Sequence, residues 1–431
     1  KELKPVYWCP DCNTALAEAE IEYAEDPCHS IYVKFNVTDD LGKLTAMGAD
    51  LSKTYFVIWT TTTWTLPANV AICVGPDFEY SLIKSGDEYY VMATDLAASA
   101  MEAKGVTDYE TIGVIKGSEL EYMKTQHPFI DRTSLVIVGD HVTLESGTGC
   151  VHTAPGHGIE DFVVCKNYPE IPIIVPVDAK GRLTEEAGMF AGLTTEEANK
   201  PIALYLDKIG ALFALKKIEH QYPHCWRCHK PVIFRATSQW FCSVDDFKDE
   251  AIKAAEDVKW FPEWGKDRLQ SMVRERADWC ISRQRKWGVP IPVVYCQDCG
   301  KEIIDNDIMM KVSKIFGEEG SDAWFAHDAE YFLPEGFKCP HCGSDKGFDK
   351  EKDIMDVWFD SGSSHAAVCR KRGYLKVPAD VYLEGADQYR GWFQSSLLTS
   401  VAGGNGAPYK QIITHGWTVD GEGKKMSKSL G

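Results

Sequence analysis

Eight of the fifteen cysteines stand in Cys-x-x-Cys pairs, the pattern in this sequence best suited to chemistry. In such a pair two thiolates can occupy adjacent corners of a zinc tetrahedron, and two pairs complete it. The pairs are Cys9 and Cys12, Cys225 and Cys228, Cys296 and Cys299, and Cys339 and Cys342. No signal peptide precedes Lys1, so we expect a cytosolic protein whose thiols bind metal rather than form disulfides. The sequence predicts two zinc ions per chain. The third and fourth pairs lie close in sequence and combine naturally, and the first and second would share a zinc ion that joins the two ends of the region between them, but the spacing leaves other combinations open.

A second candidate site is the stretch Phe56–Asn69, in which four threonines, Thr60 to Thr63, follow an apolar run typical of a strand. Four consecutive hydroxyls cannot all face an apolar core without leaving donors and acceptors unpaired. If the strand continues, alternate threonines lie on opposite faces until Pro67 ends it. Two interpretations follow: an edge strand with a polar rim, or a strand end whose hydroxyls and amides line a small polar pocket.

The composition sets the frame for these sites. At 431 residues with 44% hydrophobic residues, the chain can hold two or more domains with ample cores. It contains no run of about 18 apolar residues, so no membrane span is predicted. The net charge of −18 argues against a surface that coats nucleic acid. The run from Lys266 to Lys286 nevertheless holds seven lysines and arginines. It is either a local basic face or a solvated helix face.

The first half of the chain, from about residue 30 to 215, has the pattern of a mixed α/β domain. Strands are predicted at Tyr80–Ile83, Tyr89–Met92 and Leu135–Val138, the first two forming a hairpin. Thr194 and Glu197 fit a capping box that begins a helix. Pro201 lies inside this helix and predicts a kink or a restart there.

The second half contains helices and then strand–turn–helix units. Helices are predicted from Ser243 with Asp246 to about Val258, near Asp267–Arg276 and over Gln388–Val401. Short strands are predicted at Val381–Leu383 and Ile412–Thr414. In open parallel sheets ligands bind beyond the carboxyl ends of the strands. Glu384, Asp387, His415 and Gly416 follow such ends.

Six motifs follow one another along almost the whole chain. Lys425–Ser429 reads Lys-Met-Ser-Lys-Ser. The others are Trp59–Asn69, Gly147–Gly158, Trp279–Gly288, Asp356–Gly362 and Tyr382–Phe393. Together they resemble the isoleucyl-tRNA synthetases, a branch of the class I aminoacyl-tRNA synthetases. Valyl and leucyl relatives share this plan, with different residues expected around Trp279–Gly288 and Glu384–Trp392.

The resemblance implies an α/β multidomain fold. It comprises the C-terminal half of a Rossmann-type catalytic domain with a large inserted mixed α/β editing domain and zinc knuckles. The implied parts are 1–30, the end of the first catalytic half with the first knuckle; 31–220, the editing domain; 221–350, a connective region with zinc knuckles; and 351–431, the second catalytic half. The family's His-x-Gly-His signature and its helical anticodon-binding domain are not in this sequence, so we expect a central fragment. A third departure is Thr63, which stands where the family usually has proline.

The activity that the resemblance implies is ATP-dependent ligation of isoleucine to its tRNA through isoleucyl-adenylate. ATP with magnesium is the expected substrate, and the expected enzyme is a cytoplasmic monomer without membrane contact. One methylene changes the free energy of binding in an apolar pocket by about 1–3 kcal/mol, a figure established on enzymes of this kind and not on this chain. Valine is therefore removed at a second, hydrolytic site. The fragment is expected to be competent at most for this editing.

The family pattern places the editing pocket on the threonine stretch and on the segment after Gly147. Its residues would be Thr60, Thr61, Thr62, Trp64, Asn69, His152 and Asp161. Asp161 would pair with the free α-amino group of the aminoacyl ester. His152 would crowd the side-chain pocket, and the threonines, Thr61 above all, would hold the terminal adenosine and orient water. His157 is a chemically plausible base, but its flanking glycines indicate loop geometry first.

The family pattern also places an adenylate site near the end of the chain. Glu384, Gly385, Asp387, Gln388, Trp392, His415 and Gly416 would bind the aminoacyl-adenylate and ATP. Lys425 and Lys428 would stabilise the pyrophosphate in the transition state. The basic run around Trp279–Gly288 would contact the acceptor stem of tRNA in a salt-sensitive way. Two other functions compete: a freestanding trans-editing deacylase, and a zinc-ribbon nucleic-acid-binding protein without chemistry.

Overall fold

A computed structural model describes residues 1–423 and Met426. These residues form two compact units. The N-terminal unit comprises Glu2–Leu16 and Glu20–Ser238, and the C-terminal unit comprises Lys1, Ala17–Ala19 and the chain from Gln239 onward. Both mix helices with strands, which confirms the predicted α/β class at this coarse level. Within the described residues, no helix combines the length and the apolar character needed to cross a membrane.

The N-terminal unit is built mainly from strands. They are β1 (Glu2–Cys9), β2 (Thr14–Leu16), β3 (Ile21–Asp39), β4 (Thr54–Thr60), β5 (Ala71–Val74), β6 (Glu79–Ser85), β7 (Glu88–Ala93), β8 (Glu110–Lys116), β9 (Lys124–Gln126), β10 (Thr133–Val138), β11 (Cys150–Thr153), β12 (Leu212–Cys225) and β13 (Ile233–Gln239). Its α-helices are α1 (Lys43–Ala46), α2 (Thr94–Lys104), α3 (Ile159–Cys165) and α4 (Thr195–Lys208).

Ten of these strands form one sheet, in the order β12-β3-β9-β10-β5-β11-β4-β7-β6-β8. The sheet closes on itself because the long strand β3 pairs with β4 as well as with β9. On β3, Ile31, Val33 and Phe35 are fully buried, and every residue of the short strand β5 is buried. The closed part of the sheet therefore fixes the ends of β4 and β11, which lie side by side.

Local patterns predicted several of these elements correctly. The β6–β7 hairpin, strand β10 and the capping box of α4 are confirmed. Of the kink or restart predicted at Pro201, the restart is wrong, because α4 runs through Pro201 as one helix. Proline removes one hydrogen bond there, but Ala198, Ile202 and Leu206 are buried on both sides of it and keep the helix on the core.

The threonine stretch does not continue the strand as predicted. Strand β4 ends at Thr60, and residues Thr63–Ala68 form a 3-10 helix that contains Pro67. The Thr62 amide donates to Thr60 Oγ1 at 3.0 Å, and the Thr65 hydroxyl donates to the Thr62 carbonyl at 2.7 Å. Such local bonds offer the backbone an alternative to the sheet ladder, so the chain turns out of the sheet.

The C-terminal unit has short strands and longer helices. Its strands are β14 (Phe241–Cys242), β15 (Lys259–Phe261), β16 (Trp279–Cys280), β17 (Ser282–Arg283), β18 (Val294–Cys296), β19 (Glu302–Ile303), β20 (Phe348–Lys350), β21 (Ile354–Met355), β22 (Tyr382–Gly385) and β23 (Gln411–His415). Its α-helices are α5 (Lys248–Ala254), α6 (Gly265–Arg274), α7 (Asn306–Glu319), α8 (Ala323–Ala326), α9 (Ala329–Phe332), α10 (Val357–Gly362) and α11 (Trp392–Ala402).

Strands β15, β23 and β22 form a parallel sheet, as the strand–turn–helix pattern predicts. The helix predicted from Ser243 is shorter than expected, because α5 spans only Lys248–Ala254. The helix predicted over Gln388–Val401 begins four residues late, at Trp392. A separate 3-10 turn, Ala386–Tyr389, precedes α11, and the side chain of Gln388 in this turn accepts the Trp392 amide at 2.9 Å.

Candidate functional site

The eight paired cysteines form two four-thiol clusters. Within each, the sulfur atoms all lie within 4.8 Å of one another: Cys9, Cys12, Cys225 and Cys228 in the N-terminal unit, and Cys296, Cys299, Cys339 and Cys342 in the C-terminal unit. The Cys9–Cys228 and Cys296–Cys342 sulfur pairs are 3.5 and 3.6 Å apart. A zinc tetrahedron with Zn–S bonds of about 2.3 Å has sulfur–sulfur edges of roughly 3.8 Å, so both clusters fit the metal. The structure thus settles which pairs combine.

A hydrogen-bond chain joins the threonine stretch to His152 on β11. His152 Nε2 lies 2.9 Å from Thr65 Oγ1, and its Nδ1 lies 2.8 Å from Asn69 Nδ2. The Asn69 oxygen accepts from Ser134 Oγ at 2.7 Å, so the Asn69 nitrogen is the donor to Nδ1. Nε2 therefore carries the ring proton and donates to Thr65 Oγ1, and the Thr65 hydroxyl donates in turn to the Thr62 carbonyl.

His152 is held rigidly and without charge. Burial lowers the pKa of its imidazole to about 3, so the ring is neutral at physiological pH. Both ring nitrogens are engaged in hydrogen bonds, so a ligand could meet this ring only through van der Waals contact. His152 is 8% exposed. A fixed ring with both nitrogens engaged can exclude atoms from a pocket but has neither a free proton nor a free lone pair to offer.

Asp161 presents a carboxylate in the first turn of α3. Its Oδ2 accepts the Ala154 amide at 2.8 Å, and no residue that the structure describes donates to Oδ1. A Cβ on Gly158 would come within 2.7 Å of Oδ2, so glycine is needed for the approach. Burial raises the pKa of Asp161 to about 6, which leaves it largely ionised at pH 7. The free oxygen therefore offers negative charge to a cationic group.

Of the remaining predicted pocket residues, Asn69 bonds to His152, and the others lie on the threonine stretch. Thr60, Trp64 and Asn69 are buried, whereas Thr61 and Thr62 are partly exposed. Within the described part of the chain, the Thr61 hydroxyl has no hydrogen-bond partner. The Trp64 ring packs edge-on against His157 at 5.0 Å between centroids, and its amide donates to Asn199 on α4 at 3.0 Å.

Sequence reasoning missed three residues of this network and left a fourth, His157, out of the predicted site. Thr65, Ser134 and Asn199 bond directly to predicted residues, and His157 contacts Trp64. Thr65 lies in the same threonine-rich stretch, so the run of hydroxyl side chains could have indicated it. Asn199 is 135 positions from its partner Trp64, and nothing in the helix around it marks its role.

The predicted adenylate residues gather at the carboxyl ends of β22 and β23. Glu384 pairs in register with Thr414, and Gly385 pairs with His415. Glu384, Asp387 and His415 are exposed there. A Cβ on Gly385 would meet the outer atoms of the Trp417 ring, so a larger residue at this strand end would require the Trp417 side chain to move. Lys425 and Lys428 lie outside the described residues.

Trp392, also predicted for this site, has a fixed ring. It stacks on Tyr382 with centroids 3.9 Å apart and planes 9° apart. Its Nε1 donates to the Ser361 carbonyl at 2.9 Å. With both contacts made, Trp392 remains partly exposed. The side chain of Gln388 accepts the Trp392 amide, the first amide of α11.

Only some of the basic side chains in the run Lys266–Lys286 lie at the surface. Arg283 is 3% exposed and forms an ion pair with Asp356 at 3.1 Å. Arg276 donates to the Gln394 side chain at 2.6 Å. Neither a basic surface face nor a solvated helix face therefore describes Arg283, and Arg276 is only partly exposed.

A family model described as "tRNA synthetases class I (I, L, M and V)" matches residues 1–431. The chain belongs to the class I tRNA synthetases. It is 61%, 62% and 60% identical to the isoleucine–tRNA ligases of Caldicellulosiruptor saccharolyticus, Caldicellulosiruptor bescii and Thermoanaerobacter sp. strain X514. These matches cover 100% of this chain and 47%, 47% and 46% of the relatives. This synthetase chain thus spans about half the length of the curated relatives that it matches.

Proposed function

We propose that this chain is part of an isoleucine–tRNA ligase and that its N-terminal unit hydrolyses valyl-tRNA for isoleucine. The observation that carries the proposal is the combination of a locked, neutral His152 with an Asp161 carboxylate that the Ala154 amide, two residues after His152, holds with one oxygen free for a cation. A misacylated tRNA carries both features that such a site reads: a small side chain and a free ammonium group. The identity to isoleucine–tRNA ligases supports the choice of amino acid.

Each proposed role follows from the position of the side chain. The Asp161 carboxylate holds the α-ammonium group, which separates an aminoacyl ester from other esters. The His152 ring fills the space that the extra methylene of isoleucine would need. Thr61, whose hydroxyl has no partner in the described part of the chain, and Thr62 contact the terminal adenosine and its ester. These contacts orient the ester for attack by water.

The C-terminal unit is proposed to bind the aminoacyl-adenylate at the ends of β22 and β23. Exposed Glu384 and Asp387 suit an ammonium group and ribose hydroxyls, and the Gly385 backbone allows a close approach. ATP with magnesium supplies the adenylyl group in the complete enzyme, where Lys425 and Lys428 neutralise pyrophosphate. The two cysteine clusters would each hold a structural zinc ion. We propose that the 431-residue chain alone edits but does not form adenylate.

Two reactions test the proposal side by side. Isoleucine-dependent ATP–pyrophosphate exchange measures adenylate formation, and release of valine from valyl-tRNA for isoleucine measures editing. We expect release of valine and no exchange. Strong exchange by the chain alone would contradict the claim that it only edits. Intact valyl-tRNA after incubation with folded, zinc-loaded chain would remove the editing function.

A further inference from the structure

Ser134, the second residue of β10, is fully buried and reaches His152 through the side chain of Asn69. Its hydroxyl donates to the amide oxygen of Asn69 at 2.7 Å. The amide nitrogen of Asn69 donates to the Ala71 carbonyl at 2.9 Å and to His152 Nδ1 at 2.8 Å. A carbonyl only accepts hydrogen bonds, so the contact with Ala71 fixes the direction of the amide independently of Ser134. The oxygen and the nitrogen of this amide are therefore both engaged.

The backbone of Asn69 is held as well. Nη1 of Arg132, just before β10, donates to the carbonyls of Pro67 at 2.8 Å and of Asn69 at 2.9 Å. These carbonyls lie at the end of the 3-10 helix Thr63–Ala68, where carbonyl groups lack partners inside the helix. With its backbone fixed, Asn69 can change only by rotation of its side chain, and the bond from Ser134 opposes that rotation.

His152 transmits the direction of the amide to the threonine stretch. Because Nδ1 accepts from Asn69, Nε2 carries the proton and donates to Thr65 Oγ1 at 2.9 Å. The hydroxyl and the amide of Thr65 both donate to the Thr62 carbonyl, at 2.7 and 3.1 Å. Ser134 thus begins a chain of hydrogen bonds that runs in one direction from β10 to Thr62.

Stability alone does not account for this chain of buried polar groups. Ser134 and Asn69 are 0% exposed, and Thr65 is 6% exposed. Replacement of both partners of a buried hydrogen bond by apolar groups of the same shape can be nearly neutral for folding. A polar network in which every member is satisfied instead fixes one arrangement of its members. What this network supplies is a defined position of the His152 ring.

We propose that Ser134 sets the amino-acid selectivity of the editing site by positioning the His152 ring through Asn69. The inference rests on the proposed editing function, in which this ring fills the space that the extra methylene of isoleucine would need. Ser134 is fully buried, so it meets no substrate itself and acts through His152. Loss of its hydroxyl leaves the Asn69 oxygen buried without a donor, which is unfavourable. Orientations of the amide that relieve this no longer hold His152 Nδ1, and the released ring leaves room for a larger side chain.

The test compares Ser134→Ala with a matched control, Ser81→Ala. Ser81 on β6 is 1% exposed, and its hydroxyl lies 2.9 Å from Thr94 Oγ1, outside the network of His152. Both substitutions remove one buried hydroxyl from the same unit. Single-turnover hydrolysis of valyl-tRNA and of isoleucyl-tRNA, both on the tRNA for isoleucine, gives the ratio of the two rates for each chain. Thermal unfolding of the same chains measures their stability.

We expect Ser134→Ala to raise the rate for isoleucyl-tRNA relative to that for valyl-tRNA about 5-fold, the scale of one buried acceptor left unpaired. Ser81→Ala should lose comparable thermal stability and keep the ratio of the unmodified chain. In chains that already carry His152→Ala, the further change Ser134→Ala should leave the ratio as it is, because the ring that Ser134 positions is gone.

An equal change of the ratio with and without His152 would show that Ser134 acts by another route and would overturn the inference. An equal change in Ser81→Ala would attribute the effect to general loosening of the unit and would overturn it too. If the unmodified chain hydrolyses valyl-tRNA and Ser134→Ala keeps its ratio, the inference fails and the proposed function stands. If the unmodified chain leaves valyl-tRNA intact, both fail.

Discussion

Acidification from pH 7 to pH 5 should destabilise the N-terminal unit through its buried histidines. Burial lowers the pKa of His127 and His157 to about 4 and that of His152 to about 3. The unfolded chain binds protons at its histidines near pH 6.5. A depressed histidine pKa therefore contributes stability that is fully present above pH 6.5 and is lost as the pH falls toward 4.

The size of the effect follows from these values. At pH 5 the unfolded histidines are almost fully protonated and the folded ones are not, which removes about 2 kcal/mol per histidine relative to pH 7. Asp161 acts in the opposite direction, because burial raises its pKa to about 6 and it gains a proton in the folded state first. This gain offsets roughly 1 kcal/mol. The three histidines and Asp161 together should therefore cost about 4–5 kcal/mol of unfolding free energy.

Urea unfolding followed by tryptophan fluorescence at pH 7, 6 and 5 measures this loss. The cysteine clusters also respond to acid, so the decisive quantity is the difference between matched variants that keep every cysteine. His157→Asn removes one buried titrating ring and should lose about 2 kcal/mol less than the unmodified chain between pH 7 and pH 5. His29→Asn removes an exposed histidine of β3 and should change with pH as the unmodified chain does. Identical pH dependence in all three chains would refute the reasoning.

Three further outcomes concern the sites themselves. Asp161→Asn should slow hydrolysis of valyl-tRNA by roughly 10²-fold, because a hydrogen bond to a charged group contributes about 1.5–3 kcal/mol. N-acetylated valyl-tRNA lacks the ammonium group, so the unmodified chain and Asp161→Asn should hydrolyse it at the same rate. His152→Ala should open the pocket and raise hydrolysis of isoleucyl-tRNA at least about 10-fold, from the roughly 1–3 kcal/mol of one methylene, and continued sparing of isoleucyl-tRNA would contradict a steric role. Cys225→Ser and Cys296→Ser should each lower the zinc content by metal analysis from two ions to one, and two ions in either variant would show that the clusters are not the sites.

Short-range patterns were the part of the fold that the sequence predicted well. A Cys-x-x-Cys pair fixes its own ligand geometry, so two clusters could be expected before any tertiary information. The β6–β7 hairpin and the Thr194–Glu197 capping box likewise depend on residues within a few positions of each other. In each case the stabilising contact and the pattern that signals it lie in the same segment.

The hydrogen bonds of the candidate site could not be predicted in this way. Thr65 and Asn69 bond to His152 across 87 and 83 positions of the chain. Their meeting depends on the parallel pairing of β11 with β4 and on the closure of the sheet through β3. Periodicity also failed at the threonine stretch, because side-chain bonds to the backbone overrode the alternation of a strand.

Thr63 shows how far the departure from the family's usual proline matters. It is the first residue of the 3-10 helix Thr63–Ala68 and is buried. Amides at this position have no partner inside the helix, and proline is favoured there. Thr62, with φ of −115°, is outside the α region that a following proline disfavours. Its ψ of 74° falls short of the +120° to +160° usual before proline, so a proline at position 63 would require the Thr62 backbone to shift. The threonine costs about 0.4–1 kcal/mol of chain entropy on folding, and it leaves the neighbouring hydroxyls in place.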